Sequence, residues 1–338
     1  MVTMREVAAA AGVSVATVSF VVNDTKPVTE ATRRRVEEAM DRLGFRRNVL
    51  ARALASQRTR IVAIAFPDAT QRLGATALSI ITSAAVEAAS RAHNIVLWPV
   101  GYDDGRLEDY VRGGLVDAVL LMEVEVDDPR IPLLQGLGVP FGLIGRSQRA
   151  EPLLSVDIDF EQAVVDGLAH LRGLGHRDIA LVLGETGPHA YGPIVRTREA
   201  FEDGMTRDGL RPVVIESSRD PLGGVRAADR LVTEHPDVTG VLILNEGALF
   251  GFLSGVGRHG LSVPGDLSIL GLATSSDNVA ISDPVLSTLV APGEEVGRLA
   301  ATAVIELLEG RDTDPAHALV RCTFQAGGST AAPRTTPR

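Results

Sequence analysis

Residues 3–22 read TMREVAAAAGVSVATVSFVV, a pattern of two short helices joined by a tight turn. Thr3 and Glu6 have the spacing of a capping box at the start of the first helix. Gly12 stands where the chain must turn, because glycine adopts a positive φ at no steric cost, and Ser14 is a capping residue for the second helix. Apolar side chains recur at helical spacing, so each helix is expected to bury one face. The stretch predicts a helix–turn–helix.

A third helix and a short Ala/Leu-rich segment follow. Thr29 is the expected cap of a helix that runs to about Leu43, and Gly44 is the residue expected to end it. Residues 48–56 read NVLARALAS, a helical pattern that is too short to be stable alone in water. We therefore expect this segment to become ordered only against a partner.

Charge is distributed unevenly along the chain. Residues 1–60 contain 11 Lys and Arg against 6 Asp and Glu, whereas the whole chain contains 33 against 43 and has a net charge of −10. The basic N-terminal region concentrates the affinity for phosphate, while the acidic remainder is not expected to approach nucleic acid. The charge pattern therefore predicts a nucleic-acid-binding head attached to an acidic body.

The N-terminal sequence resembles the head of the lactose-repressor/galactose-repressor (LacI/GalR) family. The segments that carry the resemblance are 9–19, 22–23, 27–33, 43–45 and 48–54. The resemblance implies a helix–turn–helix DNA-binding domain at 1–46, followed by a hinge helix and linker at 47–60. It also implies a homodimer that binds double-stranded DNA at a pseudo-palindromic operator.

The same resemblance implies DNA-binding roles for particular side chains. Hydroxyl groups of the second helix would anchor phosphates, and Val15 and Ala16 would meet thymine methyl groups in the major groove. Leu54 matches the family's hinge leucine, which wedges a minor-groove step and kinks the DNA. The chain departs from the family at Phe20, where an arginine is common, and at Arg47, where a proline is usual. The full expected set is Thr3, Ser14, Val15, Ala16, Thr17, Ser19, Phe20, Asn23, Thr32, Asn48, Ala51, Arg52 and Leu54.

From residue 61 onward, short apolar runs alternate with longer helical patterns. The predicted strands are 61–66, 95–100, 118–122 and 141–144, then 179–183, 213–215, 241–244 and 267–270. Continuous apolar strands that alternate with helices indicate parallel sheets covered on both faces. Two such sets predict an α/β fold of two lobes, with a ligand cleft at the carboxyl ends of the strands.

The body also resembles that of the LacI/GalR family, whose core is similar to periplasmic sugar-binding proteins. Segments 116–121, 138–146, 174–180 and 263–271 carry this resemblance. It implies an effector-binding and dimerisation core at 61–330, controlled allosterically by a small molecule such as a sugar or sugar derivative. The implied boundaries are about 61–157 and 290–312 for lobe one, about 158–287 and 313–330 for lobe two, and 331–338 for a flexible tail.

The expected effector pocket departs from the family pattern. Thr197 stands where sugar-binding and purine-binding members usually have an arginine, and after Gly271 no carboxylate follows until Asp277. A facing arginine and carboxylate would suit vicinal hydroxyl groups, so a typical sugar effector is not assumed. The candidate effector-binding residues are Asp68, Arg146, Arg196, Arg198, Asn245, Glu246 and Thr274. For each candidate, a salt bridge or helix cap is the alternative interpretation.

Composition and motifs argue against several other classes of protein. Cys322 is the only cysteine, which excludes an internal disulfide and a cysteine-based metal cluster, and Lys26 is the only lysine. The body therefore has no lysine for a Schiff base or phosphate loop, and we expect no cofactor, metal site or catalytic activity. No segment approaches the ~18 apolar residues of a membrane span, and no signal peptide is visible, so we expect a cytoplasmic protein.

The main prediction is a transcriptional repressor controlled by a small-molecule effector. Three other interpretations stay open. The altered pocket would suit an architectural DNA-binding protein without an effector. A ligand-binding module with a merely structural N-terminal segment, and an enzyme built on the two-lobed fold, are the other two.

Overall fold

The computed structural model describes residues 2–23, 26–45, 58–67, 73–102, 105–148, 153–186, 190–311 and 317–334, without the side chains of residues 23 and 278. Its contacts divide the chain into two compact units, Met1–Arg60 and Ile61–Arg338. We call the first unit the head and the second unit the body.

The described part of the head contains three helices, α1 (Met4–Ala11), α2 (Val15–Asn23) and α3 (Glu30–Leu43). The predicted capping box at Thr3 is present, and Gly12 adopts a φ of 63° at the end of α1. The Ser14 hydroxyl accepts a hydrogen bond from the Thr17 amide at 3.0 Å, as expected of a cap. Thr29 caps α3, and Gly44 ends it with a φ of 65°. These local predictions are confirmed, because each depends on residues only a few positions apart.

A small apolar core and one arginine hold the three helices of the head together. Val7, Val18 and Val36, one from each helix, are fully buried against one another. The Arg35 guanidinium donates to the Ala11 carbonyl from Nε at 3.2 Å and to the Gly12 carbonyl from Nη2 at 3.0 Å. Arg35 thereby satisfies carbonyl groups at the C-terminal end of α1 that have no partner within the helix.

The body is built on two six-stranded sheets. The strands of the first sheet are β1 (Ile61–Phe66), β2 (Asn94–Pro99), β3 (Ala118–Met122), β4 (Phe141–Ile144), β5 (Ser155–Ile158) and β11 (His317–Val320). Their order is β11-β5-β4-β3-β1-β2, and all neighbours are parallel. The strands of the second sheet are β6 (Ile179–Gly184), β7 (Val213–Ser217), β8 (Gly240–Leu244), β9 (Ser268–Thr274), β10 (Ser287–Val290) and β12 (Thr323–Gln325). Their order is β12-β10-β9-β8-β6-β7, with only β12 antiparallel.

Helices accompany both sheets and define two lobes. Lobe one carries α4 (Ala75–Ser90), α5 (Arg106–Arg112), α6 (Arg130–Leu137) and α12 (Gly293–Leu308). Lobe two carries α7 (Phe160–Gly173), α8 (Gly192–Arg207), α9 (Pro221–Glu234), α10 (Glu246–Arg258) and α11 (Ser276–Ala280). Apolar residues of the central strands are buried on both faces of each sheet, as the continuous apolar runs predict, whereas Leu97, Leu319 and Phe324 of the edge strands are exposed. The predicted α/β class is confirmed.

Two expectations about the C-terminal part of the chain are wrong. Residues 313–330 are expected in lobe two, but strand β11 of this segment lies in lobe one, parallel to β5, and only its strand β12 pairs with β10 of lobe two. Within the predicted flexible tail, the Ala331 carbonyl accepts hydrogen bonds from His176 Nε2 at 2.9 Å and Ser268 Oγ at 3.0 Å, and Arg334 pairs with Asp266. Both corrections arise from partners more than 60 positions away, which local sequence patterns do not reveal.

Helices α9 and α10 pack with their backbones almost in contact. A Cβ atom at Gly251 would lie 1.8 Å from the Pro221 carbonyl oxygen, and one at Gly224 would lie 1.9 Å from the Ala248 carbonyl oxygen. Gly247, Gly251 and Gly255 recur every four residues, so they form one glycine face along α10. This close packing fixes the N-terminus of α10, where two of the candidate residues lie.

No single helix in the described parts of the chain is long and apolar enough to cross a membrane. Among the described residues, one pair of helices, α1 and α2, is together long and apolar enough for a span, but the two are bent by 105° relative to each other.

Candidate functional site

The outer face of α2 is the candidate nucleic-acid interface of the head. Ser14, Val15 and Ala16 are exposed, and Val15 has 42% of its surface accessible. Thr17, Ser19 and Phe20 are half-buried, while the remaining apolar residues of the helix face the core. The helix therefore presents the side chains predicted to meet DNA on the side away from the head's core.

Hydroxyl groups around this face are held by local hydrogen bonds. Ser14 and Thr17 hydroxyls lie 2.8 Å apart, and the Thr3 hydroxyl donates to Glu6 at 2.9 Å. Thr32 lies in the first turn of α3, where its hydroxyl is 2.9 Å from that of Thr29. Thr3 and Ser14 cap their helices, while Thr17 and Thr32 lie in the first turns of theirs. The predicted contacts of these hydroxyl groups with DNA stay a prediction.

The aromatic ring of Phe20 carries a cation that the sequence does not reveal. The Lys26 ammonium lies 5.1 Å from the ring centroid, within the range of a cation–π interaction. The pairing places the chain's only lysine beside the face of α2. A positive charge therefore lies next to Phe20, the residue at which the sequence departs from the arginine common in the family that it resembles.

Several predicted residues fall outside the described part of the chain. They are Asn48, Ala51, Arg52 and Leu54 of the predicted hinge, Asp68 after β1, and the side chain of Asn23.

A cavity of about 750 Å³ lies between the two lobes of the body. It is bounded by the carboxyl ends of strands from both sheets, as predicted for this fold, and by the first turns of α4, α8 and α10. The apolar side chains that line it include Leu73, Ile80, Met122, Ile144, Phe160, Ile194, Leu244, Phe250, Leu272 and Val296. Its polar and charged lining residues include Glu123, Asp157, Tyr191, Arg219, Asp220, Asn245 and Glu246.

Asn245 and Glu246 are the predicted candidates that line this cavity. The side-chain Oδ1 of Asn245 accepts from the Ala248 amide at 3.2 Å, and its Nδ2 donates to the Ser217 hydroxyl at 2.9 Å. Glu246 accepts hydrogen bonds from Thr76 and Ser275. Both side chains are therefore engaged with the protein while also facing the cavity.

Arg146 and Arg196 converge on one buried carboxylate instead of lining the cavity. Arg146 Nε and Arg196 Nη2 donate to Asp157 Oδ2 at 3.1 Å and 2.9 Å, and Arg146 also pairs with Glu161 at 2.8 Å. Asp157 itself forms part of the cavity wall. In the structure, these two arginines therefore form salt bridges within the protein, which was the alternative interpretation of their role.

Arg198 and Thr274 are also not among the residues that line the cavity. Arg198 pairs with Glu216 and donates to the Thr186 hydroxyl at 3.2 Å. Thr274 is buried, and its hydroxyl lies 3.4 Å from the Leu272 carbonyl oxygen.

Three lining residues escaped sequence reasoning and form a contact across the cavity. Arg219 of lobe two lies over the Tyr191 ring at 4.7 Å and within 3.5 Å of the Glu123 carboxylate of lobe one. Burial raises the pKa of Glu123 above its ordinary value, an effect that the charge of Arg219 opposes. Glu123 follows directly after β3, so the strand-end rule could have found it. Tyr191 and Arg219 lie in loops that carry no periodic signal.

Thr197 is buried at the position where the family usually has an arginine. Its hydroxyl oxygen has no hydrogen-bond partner among the described residues. The described residues also contain no group of three His, Cys, Asp or Glu side chains that could hold a metal ion.

Comparisons with known proteins agree with this architecture. Residues 3–48 match the model for bacterial regulatory proteins of the lacI family, and residues 168–330 match the periplasmic binding protein-like domain. Over 326 residues, the chain is 30% identical to catabolite control protein A of Priestia megaterium, covering 93% of this chain and 94% of the relative. The chain belongs to the lacI family of bacterial regulatory proteins. The predicted family is thus confirmed, and with it a DNA-binding, transcription-regulating function.

Two solved structures are similar to this lacI-family chain over almost its whole length. It is similar to a structure of the transcriptional regulator CelR in complex with cellobiose, at 26% identity and a TM-score of 0.73, covering 97% of this chain and 100% of that one. It also shares the fold of the Lac repressor dimer bound to operator and the anti-inducer ONPF. That match has 22% identity and a TM-score of 0.86, and it covers 98% and 99% of the two chains.

Proposed function

We propose that this lacI-family chain is a repressor that binds a pseudo-palindromic operator as a homodimer and responds to an uncharged sugar or sugar derivative in the cleft. The observation that carries the DNA-binding part is the exposed face of α2 on a basic head. A single head offers too little surface for tight specific binding, so two-fold pairing is required. The solved Lac repressor dimer on its operator has the same fold, which supports this assembly.

On DNA, α2 would lie in the major groove. The exposed methyl groups of Val15 and Ala16 would contact thymine methyls, and the Ser14 hydroxyl would bind a phosphate. Lys26, held beside Phe20, would supply a nearby positive charge. In the hinge, Leu54 would wedge a central minor-groove step, with Asn48, Ala51 and Arg52 beside it.

The cleft suits a small neutral ligand with an apolar face. Its volume falls in the range of about 300–1,000 Å³ that is usual for small-molecule sites. The charged residues that line the cavity are four acids, Glu123, Asp157, Asp220 and Glu246, and one base, Arg219. The charge of Asp157 is neutralised by its salt bridges with Arg146 and Arg196, which do not line the cavity. The remaining negative charge disfavours phosphorylated or acidic ligands. The cellobiose complex of the similar regulator CelR supports a sugar-like effector.

Binding in the cleft would act by shifting how the lobes close. A ligand biases this equilibrium only by its different affinity for the two states. We also propose that the chain acts in the cytoplasm and binds its ligand without transforming it. The cleft carboxylates support this, since Asp157 is ion-paired, Asp220 caps α9 and Glu246 is hydrogen-bonded.

Titration against a palindromic DNA site, selected from a random pool, tests the DNA-binding part. Affinity should fall steeply with salt because several phosphates are neutralised, and exchanging Val15 and Ala16 for polar residues should change the preferred bases. A salt-independent response would reject the proposal. Leu54→Ala should weaken operator binding more than binding to random DNA, and equal losses would reject the wedge.

Thermal-shift screening with sugars, sugar phosphates and nucleosides tests the effector part. Neutral sugars should raise the melting temperature and change operator affinity, whereas sugar phosphates should do neither. Arg219→Ala should abolish the shift, while Arg198→Ala, outside the cavity wall, should preserve it. Operator binding without any ligand response would favour an architectural regulator instead.

A further inference from the structure

One carboxylate joins the two lobes at the edge of the cavity. Glu246 is the first residue of α10 in lobe two, and its Oε1 accepts from the Thr76 hydroxyl of lobe one at 3.0 Å. Its Oε2 accepts from the Thr76 amide at 3.3 Å. The Ser275 amide of lobe two donates to Oε1 at 2.6 Å. A single side chain therefore accepts hydrogen bonds from both lobes.

Glu246 supplies the cap that α4 lacks within its own sequence. The N-cap residue of α4 is Gly74, which has no side chain with which to cap the helix. The amides of a first helical turn need an acceptor, and the helix dipole favours a negative charge there. A Cβ atom at Gly74 would lie 2.7 Å from Glu246 Oε2. The glycine thus leaves the space through which the carboxylate of the other lobe reaches the helix.

We propose that Glu246 is a built-in closing residue of the cleft. Its carboxylate binds the N-terminus of α4, where an acceptor oxygen of a ligand could otherwise bind. It thereby holds the two lobes together when no ligand is bound. Because the Glu246 carboxylate fills this subsite, a ligand must either donate a hydrogen bond to the carboxylate or displace it. An anionic group of a ligand is excluded from the subsite by the negative charge. This inference rests on the proposed function only in treating the cavity as a ligand site.

Two backbone hydrogen bonds elsewhere between the lobes report closure independently of Glu246. The Val126 amide of lobe one donates to the Ala190 carbonyl of lobe two at 2.9 Å, and the Gly192 amide donates to the Val124 carbonyl at 3.1 Å. Neither pair contacts Glu246. Their amides become accessible to solvent only when the lobes separate or the local segments open.

Amide hydrogen exchange of the full-length, ligand-free protein tests the proposal. In Glu246→Ala, exchange at Thr76 and Ser275 should accelerate about tenfold or more, as expected for losing a hydrogen bond to a charged acceptor. Exchange at Val126 and Gly192 should accelerate as well, because the lobes separate more often. Glu108→Ala in lobe one and Glu234→Ala in lobe two, each removing a carboxylate from an exposed helical ion pair, should leave all four amides unchanged.

The isosteric Glu246→Gln serves if the alanine variant does not fold, and it should accelerate the same four amides to a smaller extent. If exchange at Val126 and Gly192 stays at the wild-type rate in the folded variants, Glu246 is only a local cap and the proposal is overturned. If exchange at the Thr76 amide also stays at the wild-type rate, the hydrogen bonds between Thr76 and Glu246 are absent in solution, and the proposal is overturned as well. Operator titration of the same wild-type preparation separates the two proposals, since failure to bind DNA would reject the regulator without affecting the exchange result.

Discussion

Arg196 and Asp157 form a buried ion pair that connects the lobes, with Arg196 Nη2 2.9 Å from Asp157 Oδ2. The arginine comes from α8 of lobe two, and the aspartate comes from β5 of lobe one, just before the chain crosses between the lobes. Their side chains are only 10% and 5% exposed. Arg196 thus lies one position before Thr197, where the family usually has its ligand-binding arginine, but its guanidinium group binds Asp157 of the protein.

Asp157→Asn should strongly destabilise the body. The substitution leaves the guanidinium of Arg196 buried without its countercharge, and breaking such a pair costs about 3–5 kcal/mol. Urea unfolding measures the loss. Glu161→Gln is the control, because Glu161 is 40% exposed and its salt bridge among the described residues is with Arg146; its cost should stay below ~1 kcal/mol. Equal losses in the two variants would contradict this account.

Gly251→Ala and Gly257→Ala should have opposite effects on stability although both lie in α10. An added methyl at Gly251 would collide with the Pro221 carbonyl, whereas nothing lies within 4 Å of a Cβ at Gly257. Gly257→Ala should therefore stabilise the protein by about 0.5–1 kcal/mol through helix propensity. Gly251→Ala should lower the melting temperature and weaken ligand binding by moving Asn245. A neutral Gly251→Ala would show that the two helices can separate at little cost.

The protein should lose stability as the pH falls below neutrality, in part because of His176. Burial lowers the pKa of His176 below its ordinary value of 6.5. As the pH falls below 6.5, His176 binds a proton in the unfolded chain but not yet in the folded protein, so the free energy of unfolding decreases. His176→Gln should show a weaker pH dependence between about pH 7.5 and 5.5 in urea unfolding. Parallel curves for the two proteins would exclude this contribution.

Arg35→Ala should destabilise the head, whereas Arg34→Ala should not. Arg35 donates to two carbonyl groups at the end of α1, and losing these charged hydrogen bonds should cost about 1–2 kcal/mol. Arg34 is 71% exposed and lies 3.7 Å from Glu30, a weak surface pair. Amide exchange at the buried Val18 in the intact chain distinguishes the variants. Faster exchange at Val18 in Arg34→Ala than in Arg35→Ala would contradict the stabilising role given to Arg35.

The three helices in the described part of the head were predictable because their signals are local. Thr3, Gly12 and Ser14 each act on residues within a few positions, and the valine spacing shows which face is buried. The pairing of Lys26 with Phe20 was not predictable, since it depends on how the chain returns after α2.

The cleft was predictable only in outline. The apolar runs indicate the strands, and the strand-end rule places Asn245 and Glu246 at the cavity. The rule does not show that Arg146 and Arg196 bind Asp157, because spacing within a helix says nothing about the charge facing it. Nor does it show Tyr191 and Arg219, which lie in loops.

The sequence by itself determined the helix–turn–helix, the two α/β lobes, the family and eight of the twelve strands that the described residues form. It could do so because caps, turns and hydrophobic periodicity are properties of neighbouring residues. Only the tertiary structure decided that β11 pairs with β5, that residues 331–334 are held by lobe two, and that Glu246 caps a helix of the opposite lobe. These contacts join residues far apart in the chain, and their free energy depends on burial and distance in three dimensions.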